Sequence, residues 1–179
     1  GFTSASEQVG PGPMSAVLNQ YLSVMNDVIF KHGGTIDKFI GDAIMVLFGA
    51  PLSLSADEQA RKACACALEM QRAMSTMADL FEETGIGRLT MRIGIHQGEA
   101  VVGNFGSVQR SDYTAIGPSV NLASRIEGVC TPGNVFISPA VQVLVPELRS
   151  VEAGNFQLKG MDGHKTLFVL HDDPSSQRP

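Results

Sequence analysis

A chain of 179 residues, 44% apolar and 17% charged, is long enough to close one hydrophobic core and short for two. No run of about 18 apolar residues occurs, which excludes a membrane-spanning helix in this stretch, and no charged-then-apolar leader opens it. The formal net charge of −5, with no basic stripe, excludes an ordinary nucleic-acid binder. A polyphosphate ligand would then have to be met by a few cations gathered in one place, with Lys38, Arg110, Arg125 and Lys159 as candidates.

In chain order, the cluster Gly10-Pro11-Gly12-Pro13 marks a turn. Val17, Leu18, Tyr21, Leu22, Met25, Val28 and Ile29 then recur at three- and four-residue spacing, which predicts an amphipathic helix over residues 14–32, ended by Gly33-Gly34. Residues 35–40 and 43–48 read as two strands meeting at Gly41-Asp42, a tight-hairpin dipeptide. Ser55 with Glu58 forms a capping box that opens a helix expected to run to about Thr84. Strands are expected over 89–94, 98–105 and 113–116, and Pro118 begins a helix reaching about Val129. A strand over 135–138, a short helix over 139–144 and a hairpin of 156–159 with 166–170 complete the domain, leaving a polar tail from 172. Interleaved hairpins and helices give an α+β class with a mixed or antiparallel sheet.

Several side chains stand out against this frame. Asp42 lies at a strand junction, where turn chemistry is one reading and a hard oxygen ligand for Mg²⁺ the other. Lys38 would share a strand face with Ile36 and Ile40, with Asp37 and Phe39 opposite, which suits a cation committed to an acceptor such as a purine ring nitrogen. Thr114 can donate or accept and so could read a base amino group, although strand threonines mostly serve β-propensity. Asn121 and Arg125 are spaced i, i+4 on one helix face, an amide able to fix a ribose oxygen beside a planar fork for phosphate. Lys159 sits at a hairpin mouth and Arg110 in a polar loop, both within the reach of phosphate chemistry. Cys64, Cys66 and Cys130 lack metal-ligand spacing and read as small apolar fillers in a reducing, cytoplasmic compartment. The four histidines are scattered, in satisfied or surface positions.

Taken jointly, Gly1-Phe2-Thr3, the stretch Asp37-Lys38-Phe39-Ile40-Gly41-Asp42, residues 112–125 and Leu158-Lys159-Gly160 resemble the class III adenylyl/guanylyl cyclase catalytic domain, of the bacterial homodimeric adenylyl cyclase type. The resemblance covers nearly the whole chain, with residues 1–171 as the catalytic domain and 172–179 as tail. It implies a ferredoxin-like (βαββαβ) sheet core with helices on one face plus a C-terminal hairpin. It implies that Lys38 and Thr114 select adenine, that Asn121 orients the ribose, and that Arg125 stabilises the α-phosphate. Lys159, Phe2 and Thr3 would hold phosphates, with Arg110 a weaker candidate. Members that use GTP carry Glu and Cys where this chain has Lys38 and Thr114, so ATP is the implied substrate. Asp42 would be one metal aspartate, with the other on a core strand upstream of Gly1, and two Mg²⁺ or Mn²⁺ ions would serve each site. A homodimer would hold two such sites at its interface. The same resemblance implies no direct membrane contact from this segment and is compatible with a regulatory or membrane-tethering domain upstream. Two rivals stand beside it: a non-catalytic nucleotide-binding or dimerising module of the same fold, and a diguanylate cyclase, whose Gly-Gly-acidic-acidic-Phe signature is absent.

Overall fold

The computed structural model describes residues 5, 7 and 9–172. Phe2 and Thr3, and the tail from residue 173, lie outside the described residues. The element order is α1 (Pro11–Lys31), β1 (Thr35–Ile40), β2 (Ala43–Leu47), α2 (Ala56–Thr76), α3 (Ala78–Glu83), β3 (Ile93–Ile95), β4 (Val101–Gly106), β5 (Ser111–Ile116), α4 (Pro118–Val129), β6 (Val135–Ile137), α5 (Pro139–Gln142), β7 (Ser150–Gln157) and β8 (His164–Leu170).

The α+β class stands, with one parallel pair (β3 with β6) and the rest antiparallel. Among the described residues the strands fall into three sheets rather than one: β1-β2, β4-β5 and the four-stranded β3-β6-β8-β7. A groove of about 1080 Å³ runs between β2 and β3, so these two strands do not meet.

Helices cover both faces of the four-stranded sheet, not one as expected. Along β6, Val135 and Ile137 pack with Ala60, Cys64 and Ala67 of α2 and Val141 of α5, whereas Phe136 points the other way, onto Ile126 of α4. Period-two alternation within a strand buried on both sides produces this split. Gly94 of β3 makes the second face possible: a Cβ there would lie 2.3 Å from the Glu127 backbone nitrogen of α4. A third core joins α1, α2 and α3 through Met25, Ile29, Met70, Met74 and Phe81. Complete burial of a side chain the size of Phe81 contributes about 1.5–3 kcal/mol over exposure.

Local differences from the sequence expectations have local causes. The helix expected to reach Thr84 ends at Thr76 and restarts at Ala78. Ser75 and Thr76 donate their hydroxyls to the carbonyls of Gln71 and Arg72, the back-bonding that bends helices. The strand expected over 89–94 is Ile93–Ile95, because the Met91 carbonyl is taken by the Gly133 N–H and the Gln71 amide. The strand expected from Gly98 begins only at Val101. The closing hairpin is longer than expected, since β7 starts at Ser150 and carries an irregularity between Glu152 and Gly154 that obscures its alternation.

Candidate nucleotide site

The β1–β2 hairpin turns in two residues. Gly41 takes φ +64° and Asp42 follows with φ negative, the requirement of a two-residue turn with glycine first. Asp42 therefore stands exposed at a rigid tip. Tyr21 of α1 donates its hydroxyl to the Asp42 carbonyl at 3.3 Å and props that tip against the helix. Burial, and secondarily the Asp42 charge, push the Tyr21 phenol up to about 12, so it remains a donor throughout the working range. The Asp42 carboxylate has no ion-pair partner among the described residues, and no group of three or more His, Cys, Asp or Glu among them is placed to hold a metal.

β1 departs from regular alternation before this turn. Ile36 pairs with Val46 and Lys38 with Met45, so Asp37 is an extra residue and both Asp37 and Lys38 stand opposite Met45. The expectation that Lys38 shares a face with Ile36, and that Asp37 lies opposite, is thereby corrected. Ile36 turns to the α1–α2 core with Ile44 and Val46, while Lys38 takes the other face. The Lys38 ammonium lies 3.3 Å from Asp37 Oδ1. The other oxygen of that carboxylate accepts the Thr114 hydroxyl at 2.6 Å and the Ala115 N–H at 3.0 Å. A carboxylate that sequence reasoning set aside thus joins Lys38 on β1 to Thr114 on β5. The available signal was an acidic residue inside an otherwise apolar strand, but alternation alone assigns it to solvent.

Thr114 is 7% exposed and faces Gly103 across the β4–β5 ladder, so no side chain stands beside it on that strand. β5 runs through Gly117 directly into α4, whose first residue is Pro118. Asn121 and Arg125 project from its exposed side, while Ile126 anchors the opposite side with no exposure. Arg125 has no ion-pair or hydrogen-bond partner among the described residues. Lys159 is likewise exposed and follows Leu158, which is fully buried with Ile126, Phe136 and Leu167. Arg110 lies in the β4–β5 turn, closed by mutual backbone bonds with Ser107, its side chain outside.

The groove between β2 and β3 takes Asp42 and Asn121 into its wall but not Lys38, Thr114, Arg125 or Lys159. It is therefore not by itself a nucleotide pocket. On β3's continuation, His96 also borders it; Nδ1 is 2.9 Å from Ser138 Oγ, and burial holds the imidazole pKa below its ordinary value. Burial also raises all three thiols, Cys64 and Cys66 to about 12, which makes them apolar filling rather than nucleophiles.

Comparisons with known proteins bear on this arrangement. The family described as the adenylate and guanylate cyclase catalytic domain matches residues 1–172. Adenylate cyclase from Anabaena cylindrica is 42% identical over 133 residues, 72% of this chain and 25% of that protein. Adenylate cyclase 1 from Rhizobium meliloti (strain 1021) is 37% identical over 128 residues, 72% of this chain and 19% of that protein. The chain thus spans a quarter or less of these curated relatives. Among solved structures, the adenylyl cyclase CyaB from P. aeruginosa superposes with a TM-score of 0.93 at 35% identity, covering 97% of this chain and 89% of that one. The guanylyl cyclase Cya2 superposes at 0.87 with 43% identity, covering 95% and 86%. On these matches, this chain is a member of the class III adenylyl/guanylyl cyclase catalytic domain family.

Proposed function

We propose that this domain converts ATP to 3′,5′-cyclic AMP and pyrophosphate. The observation that carries the choice of ATP is the pairing of Lys38 with Thr114 through one carboxylate, which presents a donor and a hydroxyl side by side. The choice needs such an argument, because solved structures named as adenylyl and as guanylyl cyclases both resemble the chain. Lys38 would donate to adenine N1 and Thr114 would meet the exocyclic amino group. Asn121 would hold the ribose so that its 3′-oxygen lies in line with the α-phosphorus. The 3′-oxygen–phosphorus bond forms as the bond to the β-phosphate oxygen breaks; pyrophosphate leaves, and the hydroxyl proton passes to water or a phosphate oxygen. Arg125, without a partner among the described residues, would stabilise the charge that grows on the α-phosphate, and Lys159 the terminal phosphates.

The family works with divalent metal ions. Asp42 fits one as an exposed carboxylate, without an ion-pair partner among the described residues, on a turn tip, suited to a hard cation that keeps waters and substrate phosphates as its other ligands. Two such ions, Mg²⁺ or Mn²⁺, would supply activation of the attacking hydroxyl and charge neutralisation.

The site would be completed by a second copy, with Asp42 of one subunit facing the base-reading wall of the other. Phe39, Ile40, Val101 and Ile116 support this reading: they stay between 47% and 63% exposed on strands adjoining the site. No helix among the described residues is long and apolar enough to cross a membrane.

The test is nucleotide choice in the full-length protein. Lys38→Glu combined with Thr114→Cys should exchange cyclic AMP production for cyclic GMP production. Retained preference for ATP in the double variant would remove the base-reading assignment. Nucleotide binding with no cyclic product from the parent protein, under Mg²⁺ and under Mn²⁺, would favour the non-catalytic module instead.

A further inference from the structure

Asp37 is the most heavily committed polar side chain at the site, and base reading by Lys38 and Thr114 does not by itself require it. Its side chain is 0% exposed. Oδ2 accepts two hydrogen bonds, from the Thr114 hydroxyl and the Ala115 N–H, while Oδ1 has no hydrogen-bond partner among the described residues and lies 3.3 Å from the Lys38 ammonium. Burying a carboxylate on so few partners is costly unless the arrangement does something an apolar residue cannot. A neutral alternative would tie β1 to β5 at less cost.

The chemistry lies in the single proton of the Thr114 hydroxyl. A threonine hydroxyl has one donor and two acceptor lone pairs, and it rotates to suit its surroundings. At 2.6 Å, Asp37 Oδ2 takes the proton; the competing acceptor, the Ala115 carbonyl, is at 3.5 Å. With its proton held there, the oxygen has only lone pairs left to offer. We propose that Asp37 sets the polarity of Thr114, turning a two-way hydroxyl into an obligate acceptor that welcomes an amino group at purine C6 and refuses a carbonyl there. The same carboxylate holds the Lys38 ammonium beside it, and that ammonium still has donors free for a ring nitrogen. Asp37 is thus a positioning residue for base choice. The inference rests on the reading of Lys38 and Thr114 as the base-contacting pair.

The experiment compares kcat/KM in the full-length protein for ATP and for purine riboside 5′-triphosphate, which keeps N1 and lacks the 6-amino group. In Asp37→Asn the side-chain amide can donate to Thr114 and release its proton toward the base. The advantage of ATP over the analogue should then fall about tenfold, the worth of roughly one hydrogen bond. An equal loss on both nucleotides would mean a purely structural tie and would overturn the proposal, as would an unchanged ratio. Thr114→Val separates the two layers. If it lowers the ratio while Asp37→Asn does not, the polarity claim alone fails; if it leaves the ratio untouched, the base-contact reading fails and takes this claim with it. Should Asp37→Asn not fold, the parent protein still decides. A 6-methoxypurine riboside triphosphate, with an acceptor and no donor at C6, should be used less well than the unsubstituted analogue. Equal or better use would show a freely turning hydroxyl and overturn the proposal.

Discussion

The corner built by β1 and β5 and the separate charged side chains Asp42, Arg125 and Lys159 are organised in opposite ways. In the first, Asp37 ties Lys38, Thr114 and the Ala115 N–H together, and Thr114 and the Asp37 side chain are nearly or wholly withdrawn from solvent. In the second, the side chains are exposed and make no ion pairs among the described residues. A corner that recognises a neutral base must fix its donors and acceptors beforehand, since direction is all it has to offer. A corner that meets triphosphate can leave its charges in water, because the ligand's own charge organises them on arrival.

The largest effect that would break this contrast concerns Arg125. Arg125→Ala should lower turnover by about a hundred- to a thousandfold, or about 2.7–4 kcal/mol, with little change in melting temperature because the side chain is exposed and supports no other group among the described residues. Steady-state kinetics beside a thermal melt check both halves. Unaltered turnover with weakened substrate affinity would move Arg125 out of the transition state.

Gly94→Ala offers a sharper cut between the two corners. The new methyl group would press on the α4 backbone at Glu127 and Ala123, so stability should fall by about 1–3 kcal/mol as the helix shifts. That shift carries Asn121 and Arg125 but not the Asp37 network. Turnover should therefore drop while the ATP-to-GTP preference holds; a collapse of that preference would show the corners to be mechanically one. Denaturant titration and paired nucleotide assays measure the two effects.

The smallest effect lies outside both regions and appears in acid. His96 has its folded pKa depressed below the ordinary 6.5 by burial. Its contribution is fully present above 6.5 and is lost as pH falls through the lower folded value, because the unfolded chain binds the proton more readily. Melting temperature should decline on going from pH 7.5 to 5.5, and His96→Gln should flatten that decline. Glu69, held below its usual range first by Lys31 and then by His32, acts in a lower window and does not overlap.

The elements that sequence made legible are those with strong local rules. The capping box at Ser55 and Glu58, the Gly41-Asp42 turn, Pro118 at the head of α4 and the apolar period of α1 all follow from residues within a few positions of one another. What escaped depended on distant partners. Whether Leu89 to Arg92 forms a strand is decided by Gln71 and Gly133, and the two-sided covering of β6 by the absence of a side chain at Gly94. At the site, the expected residues were nameable one by one, but Asp37 was not, because its contacts with Thr114 and Ala115 exist only where β1 passes β5. Alternation is a rule about an unbroken strand, and β1 is broken at that residue.

The extra residue in β1 also has an arithmetical consequence. Side chains along a strand obey parity, so one surplus position reverses the orientation of everything between it and the next turn. Shortening β1 by that residue would leave Lys38, Phe39 and Ile40 opposite Met45, Ile44 and Ala43 as before and remove only the carboxylate. Straightening the strand around a retained Asp37 would instead turn the lysine toward the methionine-rich interior and rotate Phe39 and Ile40 with it.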